Sequence, residues 1–308
     1  MKNGIEWGIL KPDEANDKKE TIPEIFQAGD VDQAIKTLQD AKLLRTLTLN
    51  RGEGGENFKF IQELLNIVIK EKYGPEADYF NIEGEKLVSL LHEYKIPEQV
   101  LGELLSGSFH LRDQARFFHT YALIMENYQE LNNEDLVNYA DHDMASWYST
   151  VEGEKEKATN LNKKVFDDAK TKDLKIIATK AKFGITANKN LKPKDRASGF
   201  GEISAQMESL EHYYDAKRAK LEEVKALVEL AEKQTDKNSQ SELEENLERA
   251  INLIKDVYEY AREHSYANLE ILAQGCQASV AKAMGEERRA KQFFDKSLKL
   301  KEKYGKVI

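Results

Sequence analysis

Side chains able to do chemistry are few in this chain and widely spaced. The six histidines are His92, His110, His119, His142, His212 and His264. No two stand four apart, the step at which one helix offers two imidazoles to a zinc ion. The densest grouping of ligand-type residues is Asp141-His142-Asp143, set in an otherwise ordinary amphipathic stretch. A solvated helix face explains that triplet as simply as a metal site does. The single Cys276 has no partner for an internal disulfide, and its apolar helical setting reads as a packed thiol. The run Asn50-Arg51-Gly52-Glu53-Gly54-Gly55-Glu56-Asn57 reads as a loop, but it lacks the Gly-Lys-Ser/Thr ending that cradles phosphates. No nucleophile elbow or local triad is present, although a triad assembled in space leaves no local mark.

Asp141-His142-Asp143 resembles the His-Asp element of the all-helical metal-dependent phosphohydrolases. In that family a further His lies upstream and an Asp downstream. The resemblance implies His119 and Asp215 for those places, but the glycine-lysine turn it leads one to expect does not follow. The reading adopted is that the chain carries no catalytic residue, no metal and no cofactor, with the phosphohydrolase as the alternative.

Charge carries more information. Between Asn160 and Arg196 there are eleven Lys or Arg against four Asp, a local balance of +7 in a chain of net charge -9. No aromatic and arginine interleaving marks a base-stacking surface there, so an acidic protein or peptide is the better partner and nucleic acid is disfavoured. A merely solvated lysine face is the competing reading.

The elements that must position these residues are helices. Of 308 residues, 33% are charged and only five are proline, and the apolar residues recur at three- and four-residue steps. Phe58, Ile61, Leu64, Leu65, Val68 and Ile69 form one stripe, and Leu87, Leu90, Leu91 and Tyr94 another. A shorter helix from Val100 is expected to stop at Ser106-Gly107-Ser108. Phe117, Tyr121, Ile124 and Met125 and then Ala140, Met144, Trp147 and Tyr148 continue the pattern. Ile203 to Thr235 contains neither Gly nor Pro and predicts one extended helix near 203–235. No apolar run reaches the roughly 18 residues that span a bilayer, and no basic stretch with an apolar core opens the chain. The expectation is a cytoplasmic protein with no membrane partner.

From Tyr266 to Lys303 the spacing predicts a helical hairpin. Leu269, Leu272, Ala273, Cys276 and Val280 line its first helix, Gly285 its turn, and Ala290, Phe293, Phe294, Ser297 and Leu298 its second, with Ala278 and Ala290 at the crossing. Small Ala278, Gly285, small Ala290, aromatic Phe294 and small Ser297 stand at offsets that resemble a tetratricopeptide repeat. Ile22, Phe26, Gly29, Ala34, Leu38 and Ala41 suggest an earlier copy, whose first helix is cut short by Pro23. A weaker echo joins Ala158, Ala197, Ala250 and Ala290, each preceded by Lys or Arg and followed three residues later by Leu or Phe. The intervals are 39, 53 and 40 residues, the middle one being read as holding an insertion. Lys192-Pro193-Lys194-Asp195 reads as a lengthened turn.

The resemblance implies an all-α fold, an α-solenoid of antiparallel tetratricopeptide-like helix pairs. Residues 1–57 would form an N-terminal arm and first repeat, and residues 58–308 a continuous array. It also implies a protein- or peptide-binding adaptor whose first helices line a groove, with His142, Trp147, Lys175, Thr179, Lys182, Gln274 and Gln277 as candidate contacts. A purely structural protein held by a helical oligomer interface is the remaining alternative.

Overall fold

The computed structural model describes residues 31–40, 54–110, 113–131, 133–187, 190–233 and 240–304. Within them every regular element is an α-helix, fourteen in all, as the helical periodicity requires. The first seven are α1 (Val31–Gln39), α2 (Gly54–Tyr73), α3 (Gly84–Glu93), α4 (Gln99–His110), α5 (Gln114–Glu126), α6 (Tyr128–Leu131) and α7 (Glu134–Thr150). The rest are α8 (Lys155–Thr171), α9 (Lys175–Thr186), α10 (Pro193–Ser209), α11 (Tyr213–Lys233), α12 (Gln240–Glu263), α13 (Ala267–Ala283) and α14 (Glu287–Tyr304). Among the described residues no helix is long and apolar enough to cross a membrane.

Starts and stops have local causes. Asp113 caps α5 by accepting the Arg116 backbone N–H at 3.1 Å, and Asn133 caps α7 by accepting that of Leu136 at 3.1 Å. Pro193 begins α10 as its first residue, where its missing N–H costs nothing, so Lys192 to Asp195 is a helix start and not a lengthened turn. Five helices end in one way. Lys95, Asp173, Glu211, Ser265 and Gly285 take left-handed φ of 52°, 57°, 61°, 58° and 74°. The next N–H then reaches the carbonyl five residues back: Ile96 to Leu91, Leu174 to Ala169 and Tyr266 to Ala261 at 2.8 Å, His212 to Met207 at 2.9 Å and Glu286 to Ala281 at 2.8 Å. This bond satisfies a carbonyl that the finished helix would otherwise orphan, and it reverses the chain within three residues.

That turn overturns the extended helix expected near 203–235. The chain bends at Leu210-Glu211-His212, between α10 and α11, at a left-handed glutamate. The long interval between Ala197 and Ala250 is filled by α11, of 21 residues, and α12, of 24. Ala250 lies well inside α12, whereas Ala158, Ala197 and Ala290 lie in the first turns of their helices. All four alanines are buried. Two further boundaries differ from expectation. α4 runs through Ser106-Gly107-Ser108, with the buried Ser108 hydroxyl satisfied inside the helix by the Leu105 carbonyl at 2.7 Å. α2 takes in Gly54 and its neighbours, which the loop reading had left out. Of the first repeat, Ala34 and Leu38 are buried in α1 against α2, while Ile22, Phe26, Gly29 and Ala41 lie outside the described residues.

The main contacts join helices close in sequence. Most are between neighbours, α2/α4, α5/α7, α7/α9 and α11/α13 skip one helix, and α3/α6 and α4/α7 skip two. The core is correspondingly divided. A large apolar cluster runs from Ala34 to Met144 and a second from Ala197 to Val280; one small cluster, Val165 to Ala181, lies between them in sequence and another, Phe200 to Ala219, falls within the span of the second. α13 and α14 form the expected hairpin, with the Ser297 hydroxyl donating to the Ile271 carbonyl at 3.3 Å. Ala290 is buried in it but Ala278 only half so. α13 turns Ala273, Cys276 and Val280 inward, and Ala278 lies off that face.

Candidate functional site

α7, α9 and α11 each place charged side chains at one recess. On α11, Asp215 stands 3.3 Å from the Lys180 ammonium of α9 and 3.6 Å from His212 Nδ1. Lys180 also lies over the Tyr139 ring of α7, 5.5 Å from its centre. His142, on α7, meets the Asn162 side-chain oxygen of α8 through Nδ1 at 3.0 Å. Arg218 stands over the Phe183 ring at 5.8 Å, and Phe183 packs edge-on to Phe200. Lys180 and Asp215 keep 29% and 24% of their side-chain surface open although protein surrounds them on most sides. Open to water yet enclosed is the condition of a concave surface.

Small residues let these helices close. A Cβ on Gly184 of α9 would fall 2.3 Å from Asn162 Nδ2, and one on Gly199 of α10 would fall 2.8 Å from Thr186 Cγ2. Only hydrogen fits at either place.

The electrostatics divide the recess in two. Burial pushes the Asp215 carboxyl up, but Lys180, His212 and Arg218 outweigh burial and hold it well below the usual carboxylate range. Burial lowers Lys180 while Asp215, Tyr139 and Asp143 raise it further, so it stays charged. The two residues on α7 behave oppositely. Burial pushes Asp143 up to about 7 against the pull of Lys180. Burial, then Lys180, drives His142 down to about 4. At neutral pH the recess holds an ion pair beside a neutral imidazole and a carboxyl balanced between its two forms.

The expected groove residues are scattered. His142 faces the recess. Trp147 stacks on Phe117 at 4.6 Å within the first apolar cluster. Lys175 is exposed and lies 3.8 Å from Asp173, and Thr179 is buried with its hydroxyl on the Lys175 carbonyl. Lys182 pairs with Glu202 of α10 at 2.9 Å. On α13, the side-chain oxygens of Gln274 and Gln277 are buried without a hydrogen-bond partner among the described residues. Of the phosphohydrolase set, Asp215 comes near His142, but His119 is held elsewhere, its Nε2 2.9 Å from the Tyr79 carbonyl. Asp141 takes the Tyr121 hydroxyl at 2.8 Å and Lys164 at 3.2 Å. Among the described residues no group of three or more His, Cys, Asp or Glu side chains could hold a metal ion.

Sequence reasoning counts Lys180 among the lysines of the basic segment, but on a different helix face from Lys175 and Lys182, and gives no sign of its pairing with Asp215. Arg218 and Asn162 carried no signal, since each element gives the recess only one or two polar residues. A second polar layer, between α10, α11 and α12, was equally hidden. Lys217 and Lys220 share Asp256 at 2.8 and 2.7 Å, Lys220 also holds Glu208 at 2.7 Å, and Arg249 pairs with the buried Glu223. Comparison of the chain with protein-family models and with curated proteins yields no match.

Proposed function

We propose that this chain is a cytoplasmic adaptor or scaffold that binds a protein or peptide and carries out no reaction of its own. In this reading α7/α8, α9/α10, α11/α12 and α13/α14 are tetratricopeptide-like pairs of an α-solenoid, with α7, α9, α11 and α13 as the first helices that line its groove. The observation that carries it is the meeting of polar side chains from three successive first helices, Asp143, Lys180, Asp215 and Arg218, in one half-open recess. The register of Ala158, Ala197, Ala250 and Ala290, all buried in second helices, supports the same repeat. Arg218 is exposed while Lys180 is matched by Asp215, so the cation offered to an incoming acidic segment is Arg218. A guanidinium already lying over an aromatic ring is held ready for a carboxylate.

The test is affinity capture with the full chain, wild type against Arg218→Glu, followed by mass spectrometry. Circular dichroism first establishes that the variant is folded. Proteins retained by the wild type and lost from the variant are the expected result. Identical sets of captured proteins would remove the recess from recognition.

A further inference from the structure

We infer that the outer face of α14 is a docking site for an acidic amphipathic helix of a partner protein, seated where a following helix of the array would lie. The argument starts from the buried alanines. Counting four residues on from Ala158, Ala197, Ala250 and Ala290 gives Asn162, Gly201, Ile254 and Phe294, and counting eight gives Phe166, Ala205, Tyr258 and Leu298. In the internal cases the next helix lies against the first of these positions each time and against the second in two of the three, Ala205 of α10 being exposed. Gly184 of α9 lies against Asn162, and Glu223 of α11 lies 3.2 Å from where a Gly201 Cβ would be. Phe166 packs against the small cluster that includes Ile177, Ala178 and Ala181 of α9, and the Tyr258 hydroxyl reaches Glu270 of α13 at 3.3 Å. Ile254 is buried in the cluster that holds Leu269 and Ala273 of α13. On α14 the same two positions are Phe294, 54% exposed, and Leu298, 41% exposed, one helical turn apart.

The geometry therefore asks for a helix, and the charge says which kind. α14 carries seven Lys or Arg against three Asp or Glu, and all ten of these side chains are exposed. An acidic helix with apolar residues at three- and four-residue steps would cover Phe294 and Leu298 and meet this excess of positive charge. A two-fold pairing of α14 with α14 would instead bring two basic faces together.

Two synthetic 18-residue helical peptides serve as probes. Both carry leucine at heptad-like spacing, and their remaining exposed positions are Glu in one and Lys in the other. Fluorescence anisotropy against the full chain at low salt is expected to show the Glu peptide binding at least tenfold tighter than the Lys peptide. That preference should be lost in the Phe294→Glu, Leu298→Glu double variant, whose exposed sites leave the fold intact by circular dichroism, and be weakened by 0.3 M salt. Equal binding of the two peptides, or undiminished binding to the double variant, would overturn the proposal. Sedimentation of the chain alone gives a further check. A dimer abolished by the double variant would assign the face to a second copy. Strong hydrogen-exchange protection of α14 in the monomer, lost on deleting residues 1–30, would assign it to the chain's own N-terminal segment. Either result would also overturn the proposal.

Discussion

α4, α5 and α7 are held together by large apolar and aromatic side chains, whereas α9 to α12 add small residues and paired charges to their own apolar clusters. In the first region Phe117 is wholly buried, stacks on Trp147 and touches Phe109, with Leu101, Leu104, Leu105 and Ile124 in the same cluster. In the second, Lys180 with Asp215 joins α9 to α11, Lys217 and Lys220 with Asp256 and Glu223 with Arg249 join α11 to α12, and Gly184 and Gly199 allow close approach. Apolar burial is non-directional and adds with area. Buried ion pairs give back most of what they gain to desolvation, but they penalise any arrangement that leaves one partner alone. Both regions thus have apolar cohesion, and in the second the paired charges add a preference for a particular register of helix on helix.

The largest effect expected from this contrast is on stability. Phe117→Ala should cost about 3 to 5 kcal/mol, the usual range for emptying an aromatic site in a packed core. Lys180→Ala should cost less, about 1 to 3 kcal/mol, because the abandoned Asp215 keeps some access to water. The double variant Lys180→Met, Asp215→Leu should return to within about 1 kcal/mol of the wild type, since it strands no charge. Urea midpoints of the four proteins decide this. A double variant no better than Lys180→Ala would mean that the pair is itself a source of cohesion, and the contrast would fail.

A smaller effect sharpens the account of the recess. His142, lowered to about 4, binds fewer protons folded than unfolded, so it makes stability rise with pH from about 4 to its unfolded value near 6.5. Asp143, raised to about 7, binds more protons folded, so it makes stability fall as pH rises from near 3.8 to about 7. The two slopes oppose each other over the same window. Asp143→Asn should uncover the rising slope, with a gain relative to wild type on the order of 1 kcal/mol between pH 4.5 and 7. Thermal melts across that range, plotted as variant minus wild type, should climb with pH; a flat difference would leave Asp143 with its ordinary acidity.

The smallest effect concerns the turns. Glu211 pays the steric cost of a left-handed backbone that glycine avoids, so Glu211→Gly should stabilise the chain by about 0.5 to 1 kcal/mol. Gly285 occupies the same place in its own turn, and Gly285→Ala should destabilise by a similar amount. Urea midpoints moving in opposite directions are the expected outcome.

These differences explain which parts of the molecule were legible from residues alone. The stripes Ile61-Leu64-Leu65-Val68 and Leu87-Leu90-Leu91 announced their helices because apolar burial writes a period into the chain. The hairpin at Gly285 was visible because glycine is the ordinary occupant of a left-handed turn. The equivalent turn at Glu211 was not, and one long helix was read across it. The recess was half visible. His142 and Asp215 stood out by residue type, but pairing Asp215 with Lys180 requires knowing that α9 and α11 come together. Neither helix carries a mark of that. Three of the lysines read as a basic field between Asn160 and Arg196, Lys164, Lys180 and Lys182, pair with carboxylates on other helices, Asp141, Asp215 and Glu202. Net charge along a segment says little about field when the counter-charges arrive from elsewhere in the fold.

The short reach of the contacts, α7 to α9 or α11 to α13 and seldom farther, also bears on how the chain acquires its shape in time. Closing such contacts brings together residues only a few dozen positions apart, so little chain entropy is lost before packing compensates for it. Each pair of helices can form when its own residues are available, without waiting for a distant strand or terminus. On a ribosome the apolar cluster around Phe117 would be complete before the ion pairs of α11 and α12 had been synthesised.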